Sequence, residues 1–246
     1  MKHMIVALLA VLLYLPVTAS PYLWTAASGE ETKVLQASKD NTLIESSKGE
    51  LSNGRGQGIF VGRTGQSVGG IRRGLIAFDI ASAIPAGSKI KSVKLTLNVR
   101  LSANGDEPAQ VKLHQVLADW GEGSSESSGR GAPAAEGDAT WIHTFYPKRF
   151  WSKPGGDYAT VDSATRSVAG VGIYHWGSTP RMVADVQAWL DSPDKNFGWL
   201  LLGDETMWAT AKVFHSRESK DKEGRSLPEA RPQLTVTFIP PPGQKK

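Results

Sequence analysis

The segment Ile90-Lys91-Ser92-Val93-Lys94-Leu95-Thr96-Leu97-Asn98-Val99-Arg100-Leu101 is written in a period of two. From Val93 onward apolar and polar residues alternate strictly. Only an extended chain sorts that pattern into one dry face and one wet face, so this is a long, half-buried antiparallel strand. Ala86-Gly87-Ser88 supplies the turn before it, and Val111-Lys112-Leu113-His114-Gln115-Val116 repeats the alternation after it. Upstream, residues 34–37, 43–44, 59–62 and 74–80 read as further strands, with a Gly-rich link at Gly49, Gly54, Gly56 and Gly58. Downstream, Phe197-Gly198-Trp199-Leu200-Leu201-Leu202 is a continuous apolar run of strand length, expected to be buried on both faces. Residues 211–216 and 234–238 are the last strands expected.

A single helix interrupts this pattern. Thr179 is placed to cap it, and Pro180 suits a first turn whose N–H has no intrahelical partner. Met182, Val183, Val186, Trp189 and Leu190 share one face at helical spacing, leaving Arg181, Asp185, Gln187 and Asp191 for the wet side. Trp189 and Trp199 are read as core. The spacing of strands predicts an all-β fold, a jelly-roll β-sandwich with one short helix and a long ordered central loop.

That loop runs from Asp119 to Asp157. It contains Asp119-Trp120-Gly121-Glu122-Gly123, a Ser/Gly tract, Gly137-Asp138-Ala139-Thr140-Trp141, Trp151 and Pro154-Gly155-Gly156-Asp157. Neither helical nor strand periodicity is present. Irregular segments of this length are functional or disordered, and disordered chain is poor in aromatics. Three tryptophans therefore argue for an ordered loop.

Residues 1–20 are expected to be a secretory signal peptide: Lys2 and His3, an apolar run over residues 4–15, Pro16, then small residues at 17–20. The run is too short to span a bilayer comfortably, so no membrane insertion is expected after cleavage. Residues 21–239 are expected to form one domain and residues 240–246 a Pro/Lys tail. There are no cysteines, which removes disulfides, thiol catalysis and Cys-based metal sites. A net charge of +4, with acids and bases interspersed, lacks the basic stripe that nucleic-acid binding requires.

The ordered set of short motifs resembles the DNRLRE-type domain of secreted bacterial proteins, which is related to carbohydrate-binding module family 96. The matching residues are Asp40-Asn41-Thr42-Leu43, Arg73-Gly74-Leu75-Ile76-Ala77-Phe78-Asp79-Ile80 and Ile84-Pro85-Ala86-Gly87, followed by the three loop motifs quoted above. Toward the end come Asp185-Val186-Gln187-Ala188-Trp189-Leu190, Phe197 to Glu205, Phe214-His215-Ser216-Arg217-Glu218 and Arg231-Pro232. The resemblance covers nearly all of the mature chain in the same order. It implies a non-catalytic β-sandwich that in related modules binds polysaccharide.

Sugar binding uses aromatic faces for the apolar side of a pyranose and polar rims for its hydroxyls. Trp120, Trp141, Trp151, Tyr158 and Trp208 are the ligand-binding candidates, with Tyr174 and Trp176 behind them. For any single ring, packing of the loop has the stronger claim. Trp208, beside Met207 in a polar turn, is the ring expected to be exposed. Asp119, Glu122, Asp138 and Asp157 are hard oxygen donors on one Gly-rich loop and are the candidates for a structural calcium site. The alternative for each is a turn cap or an Arg partner. Arg73, Asp79, Arg217, Glu218 and Arg231 read as a polar set fastening the terminal strands. No Gly-x-Ser-x-Gly or His-Glu-x-x-His occurs, and nothing selects a carboxylate pair for a glycosidase. The expectation is a secreted, monomeric, non-catalytic module that binds polysaccharide or a cell-surface glycan. A polysaccharide lyase or glycoside hydrolase on the same sandwich, or a structural envelope protein, is the alternative.

Overall fold

The computed structural model describes residues 29–243. The expected signal peptide and the end of the expected tail, residues 244–246, lie outside the described residues. In chain order the strands are β1 (Glu31–Gln36), β2 (Lys39–Ile44), β3 (Leu51–Ser52), β4 (Gly58–Arg63), β5 (Ile71–Ala77), β6 (Lys89–Ser102), β7 (Ala109–Gln115) and β8 (Ala132–Pro133). They continue as β9 (His143–Phe145), β10 (Arg149–Phe150), β11 (Ala164–Val168) and β12 (Gly172–Trp176). The helix α1 (Pro180–Asp191) follows, then β13 (Trp199–Leu202), β14 (Lys212–His215) and β15 (Gln233–Ile239).

The long alternating strand β6 organises the first sheet. Leu95 and Thr96 pair with β12 and β15 at once, and Val99 pairs with β12 and β14 at once. So β12 takes one edge of β6, while β15 and β14 lie end to end along the other. β1 extends this sheet beyond β15, and β4 extends it beyond β14. The second sheet runs β2, β5, β13, β7, β11, antiparallel throughout. The result is the expected all-β sandwich.

One strand serves both sheets. The first four residues of β4 pair with β14, whereas Gly62 and Arg63 pair with β5. The chain turns that corner at Gly62, whose φ of 108° is strained for any side chain. Gly203 packs against the same corner, so close that a Cβ there would lie 2.8 Å from the Gly62 Cα.

Two hydrophobic cores result. The first fills the space between the sheets with Val93, Leu95, Leu97, Val111, Leu113, Phe214, Val236 and Phe238, and α1 adds Met182, Val186, Trp189 and Leu190. Thr179 caps α1 as expected, its Oγ1 accepting from Met182 N at 3.0 Å. The second core lies on the far side of the second sheet, where Leu43, Leu75 and Leu200 meet Trp120, Trp141 and Trp151 of the central loop. The apolar run at 199–202 is therefore buried on both faces, Trp199 and Leu201 in the first core and Leu200 in the second.

Three local expectations differ. Asp185 is not wet: it is buried, accepting from Ser163 Oγ and, at 2.9 Å, from Trp199 Nε1. A carboxylate on the packed face of α1 is tolerated because both partners are supplied by the core. Strands β11 and β12 also escape the alternation rule. Each lies at a sheet edge, where Thr165, Arg166 and Ser167 are all exposed and Ile173 faces solvent. Finally, β5 ends at Ala77, because Asp79 caps a turn by accepting from Ser82 N (3.1 Å) and Ser82 Oγ (2.6 Å).

Gly62→Ala should destabilise the fold by about 1–3 kcal/mol, the usual cost of a side chain held in this backbone region. Urea unfolding of the variant should show a lower midpoint at unchanged slope. An unchanged midpoint would mean the corner relaxes without strain.

Candidate functional site

The sequence-predicted rings do not form a stacking surface. Trp120, Trp141 and Trp151 are buried in the second core. Trp120 Nε1 donates to Phe197 O at 2.8 Å and Trp151 Nε1 to Thr140 O at 2.9 Å. Lys39 Nζ lies 4.3 Å over the Trp120 ring and the Arg73 guanidinium 4.8 Å over Trp141. Their role is to seal the loop onto the sheet, because large rings remove the most apolar area from water. Trp176 is buried in the first core, and Tyr158 is half-buried between Arg73 and Lys153. Trp208 alone of the candidate tryptophans is open, 53% exposed, with Arg63 stacked 4.7 Å beneath one face. The next residue, Ala209, has a φ of 57°, a costly conformation for alanine that holds this turn in shape.

The four carboxylates proposed for calcium do not converge. Asp119 accepts from Lys39 Nζ at 2.9 Å, and Asp157 from Ser152 N and Oγ. Asp138 is fully buried and accepts from Ser124 N (2.6 Å), Ala135 N (2.8 Å) and Ser125 Oγ. Glu122 accepts from Asp40 N (2.9 Å) and Arg217 Nη1 (2.7 Å). Among the described residues no group of three or more metal-ligating side chains is gathered. Asp138 and Asp157 instead organise the loop around them, as short polar side chains do, while Asp119 and Glu122 reach back to Lys39, Asp40 and Arg217.

Arg73, Arg217 and Arg231 reach distant segments, Arg231 through Gln36 Oε1 at 3.5 Å, whereas Glu218 pairs with its chain neighbour Arg217. Arg73 forks onto Glu205 with contacts of 2.7 and 2.9 Å and donates to Gly155 O, tying β5 to the central loop and to the turn after β13. Arg217 joins Glu122 and, at 3.4 Å, Glu218. Arg231 donates to Ser226 Oγ at 2.5 Å. Asp79 does not join them, since it serves the local turn described above.

The open concave surface lies elsewhere, on the outer face of the first sheet, and a β-bulge creates it. Lys212 pairs with Ser102, Val213 with Leu101, and Phe214 with Val99, so Arg100 is an extra residue on β6. An extra residue reverses the facing of everything beyond it. Leu101, which the alternation sends inward, therefore points outward and is 54% exposed. It joins Val213 and Phe60, which pair across β14 and β4, to floor a groove of about 490 Å³. Glycines keep the floor clear. A Cβ on Gly129 would sit 2.3 Å from the Phe60 ring, and one on Gly58 would sit 2.7 Å from Val213. Glu126, Ser127 and Ser128 of the central loop form one wall and Arg100 the other.

Gln57 and Glu126 also line a second compartment of about 380 Å³ beside it. Here the rim is polar: Arg55, Arg217, Lys220 and Arg231, set against Glu218 and Glu126. Behind it, buried Asp40 accepts from Arg217 N at 2.9 Å. Burial pushes the Asp40 carboxyl well above the ordinary range, with Glu218 and Glu122 adding to the rise. Burial raises Glu218 too, helped by Glu122, and its Oε2 has no partner. Phe60, Leu101, Val213 and Gln57 were missed from sequence. The one available signal is that residues 59–61 are apolar on both faces of a strand. No family model matches the chain, and no curated protein matches it.

A carboxyl raised on folding binds its proton more tightly in the native state. Stability attached to Asp40 is therefore fully present below its unfolded pKa and lost as pH rises through its native pKa. Comparing wild type with Asp40→Asn, the difference in unfolding free energy should move in favour of wild type on acidification. The slope should be up to about 1.4 kcal/mol per pH unit. A pH-independent difference in chemical unfolding would refute a carboxyl whose proton affinity rises on folding.

Proposed function

We propose that this protein is a secreted, non-catalytic module that binds polysaccharide, in keeping with its resemblance to DNRLRE-type and family 96-like carbohydrate-binding domains. The observation that carries the reading is the groove on the first sheet. It has an apolar floor of Phe60, Leu101 and Val213 and a rim of Gln57, Arg100, Ser127 and Ser128. Its volume lies within the range of small-ligand sites, and apolar floors with a few directed polar groups fit the two chemistries of a sugar. The polar compartment lies beside the groove and shares Gln57 and Glu126, so neighbouring units of a chain-like ligand have polar partners within reach. Trp208, backed by Arg63, supplies a separate exposed ring.

A hydrolase or lyase is the second reading. It draws support from Glu218, whose carboxyl is raised and half unpartnered, sharing the polar compartment with Glu126. Two carboxyl groups flanking a sugar, one held protonated, are what glycosidases use.

Affinity electrophoresis against a panel of neutral and acidic polysaccharides separates these readings. Wild type should be retarded by at least one polymer without shortening it. Phe60→Ala should weaken that binding by about tenfold or more, as loss of a central aromatic anchor does. Retardation lost in Trp208→Ala and kept in Phe60→Ala would move the site to the Trp208 turn. Chain shortening that disappears in Glu218→Gln would establish the enzyme.

A further inference from the structure

Lys212 is an uncommon residue in this fold. Its side chain is fully buried (0% exposed) on β14, yet among the described residues no carboxylate hydrogen-bonds to it. Nζ donates to three neutral acceptors: Ser102 Oγ at 2.8 Å, Asn104 Oδ1 at 2.7 Å and Glu107 O at 2.8 Å. Lysine is almost never fully buried unless paired with an opposite charge, because the lost hydration of an ammonium is costly. Three neutral acceptors recover only part of that loss.

We propose that Lys212 and Asn104 become joined by an intramolecular amide (isopeptide) bond that ties β14 to the loop between β6 and β7. The reaction needs no outside reagent. The Nζ lone pair attacks the Asn104 side-chain carbonyl carbon, forming the new C–N bond. The bond from that carbon to Nδ2 breaks, and the nitrogen leaves as ammonia. The surplus proton of Lys212 departs with it, so lysine ammonium plus carboxamide yields a secondary amide plus an ammonium ion. No group is oxidised or reduced.

The local geometry serves each step. The reacting carbon is one bond beyond the oxygen that Nζ already touches, which is the pre-association that turns a slow bimolecular step into an intramolecular one. Lys212 donates to Asn104 Oδ1, where negative charge develops during attack, and Ser102 Oγ lies 3.0 Å from the same oxygen and 2.6 Å from Gly105 O, its single proton free to serve either. Nδ2, the leaving atom, makes no hydrogen bond among the described residues. Ser102 Oγ accepts from Nζ and can relay its proton. Burial lowers the affinity of Nζ for its proton, favouring the nucleophilic amine, while Asp106 and Glu107 act on it through space in the opposite sense. The product removes a buried charge altogether. It also gives this cysteine-free chain a covalent clasp between residues 108 positions apart (212 − 104).

Peptide mapping of the purified wild-type protein under denaturing conditions is the direct test. The expected result is a branched peptide containing both the Asn104 and Lys212 segments. It should be lighter than their sum by one ammonia and resist trypsin after Lys212. Two linear peptides of unmodified mass would overturn the proposal. So would a linear Asn104 peptide short of one ammonia and cleavable by hydroxylamine, since that is a ring closed onto Gly105. Lys212→Arg keeps the charge but not the nucleophile. Its thermal midpoint should fall by about 10–20 °C, the scale for losing a cross-link across a loop of this length. If that variant does not fold, the wild-type map alone still decides the matter.

Discussion

Leu43, Leu75 and Leu200 project from the second sheet on the side away from the first, and their removal from water shapes the rest of the molecule. A sheet with both faces apolar cannot remain half of a two-layer sandwich with one side wet. The chain answers with a third layer made of irregular segment, which is why the region from Asp119 to Asp157 is long, ordered and rich in tryptophan. Each such ring withdraws enough surface to contribute about 4–6 kcal/mol of gross transfer free energy. Only short ladders, β9 with β10 and β8 with β3, serve this backbone, and Asp138 and Asp157 hold turns between them while Glu122 ties the loop to Asp40 N of β2. The acids and the rings thus belong to one arrangement: rings supply the adhesion and carboxylates supply the shape.

Covering much of the second sheet leaves the first sheet with a broad open face among the described residues. Its surface is wet along β6 where alternation is regular, at Lys94, Thr96 and Asn98. It becomes apolar where the bulge at Arg100 reverses the facing. The central loop contributes there as well, since residues 126–128 reach the rim of the groove. One insertion therefore closes one face of the sandwich and borders the other. Asn41 couples the two roles, with its Nδ2 on Glu122 O and its Oδ1 accepting from Thr42 N and Asn53 N.

Strand content, the helix with its cap, the two-sided burial at 199–202 and the order of the central loop could all be read from residue patterns. Each rests on periodicity or composition, which are local properties. The groove could not be read this way. It depends on a single unpaired residue at Arg100, and Arg-Leu at that point looks like a continuation of the pattern. The edge strands β11 and β12 were hidden for a related reason, because a strand with one exposed edge has no need of a strict dry face. Asp185 shows the converse, a polar residue on an apolar helix face whose partner Trp199 lies fourteen positions away. For the loop tryptophans the residue types were informative but their destination was not, since a ring that seals a loop and one that stacks on a ligand look alike in a sequence.

The pairing of β1 with β15 brings residue 31 beside residue 238. Among the described residues β1 pairs with β15 and no other strand, so this part of sheet one waits until residue 238 has been made. Contacts of such long sequence separation are slow to form and leave strand edges unsatisfied in the meantime. A growing chain of this kind stays open and pliable for most of its synthesis, then closes in one late, concerted event. The same pairing makes the finished sandwich hard to unravel from β1 or from β15, since each strand is held in place by the other.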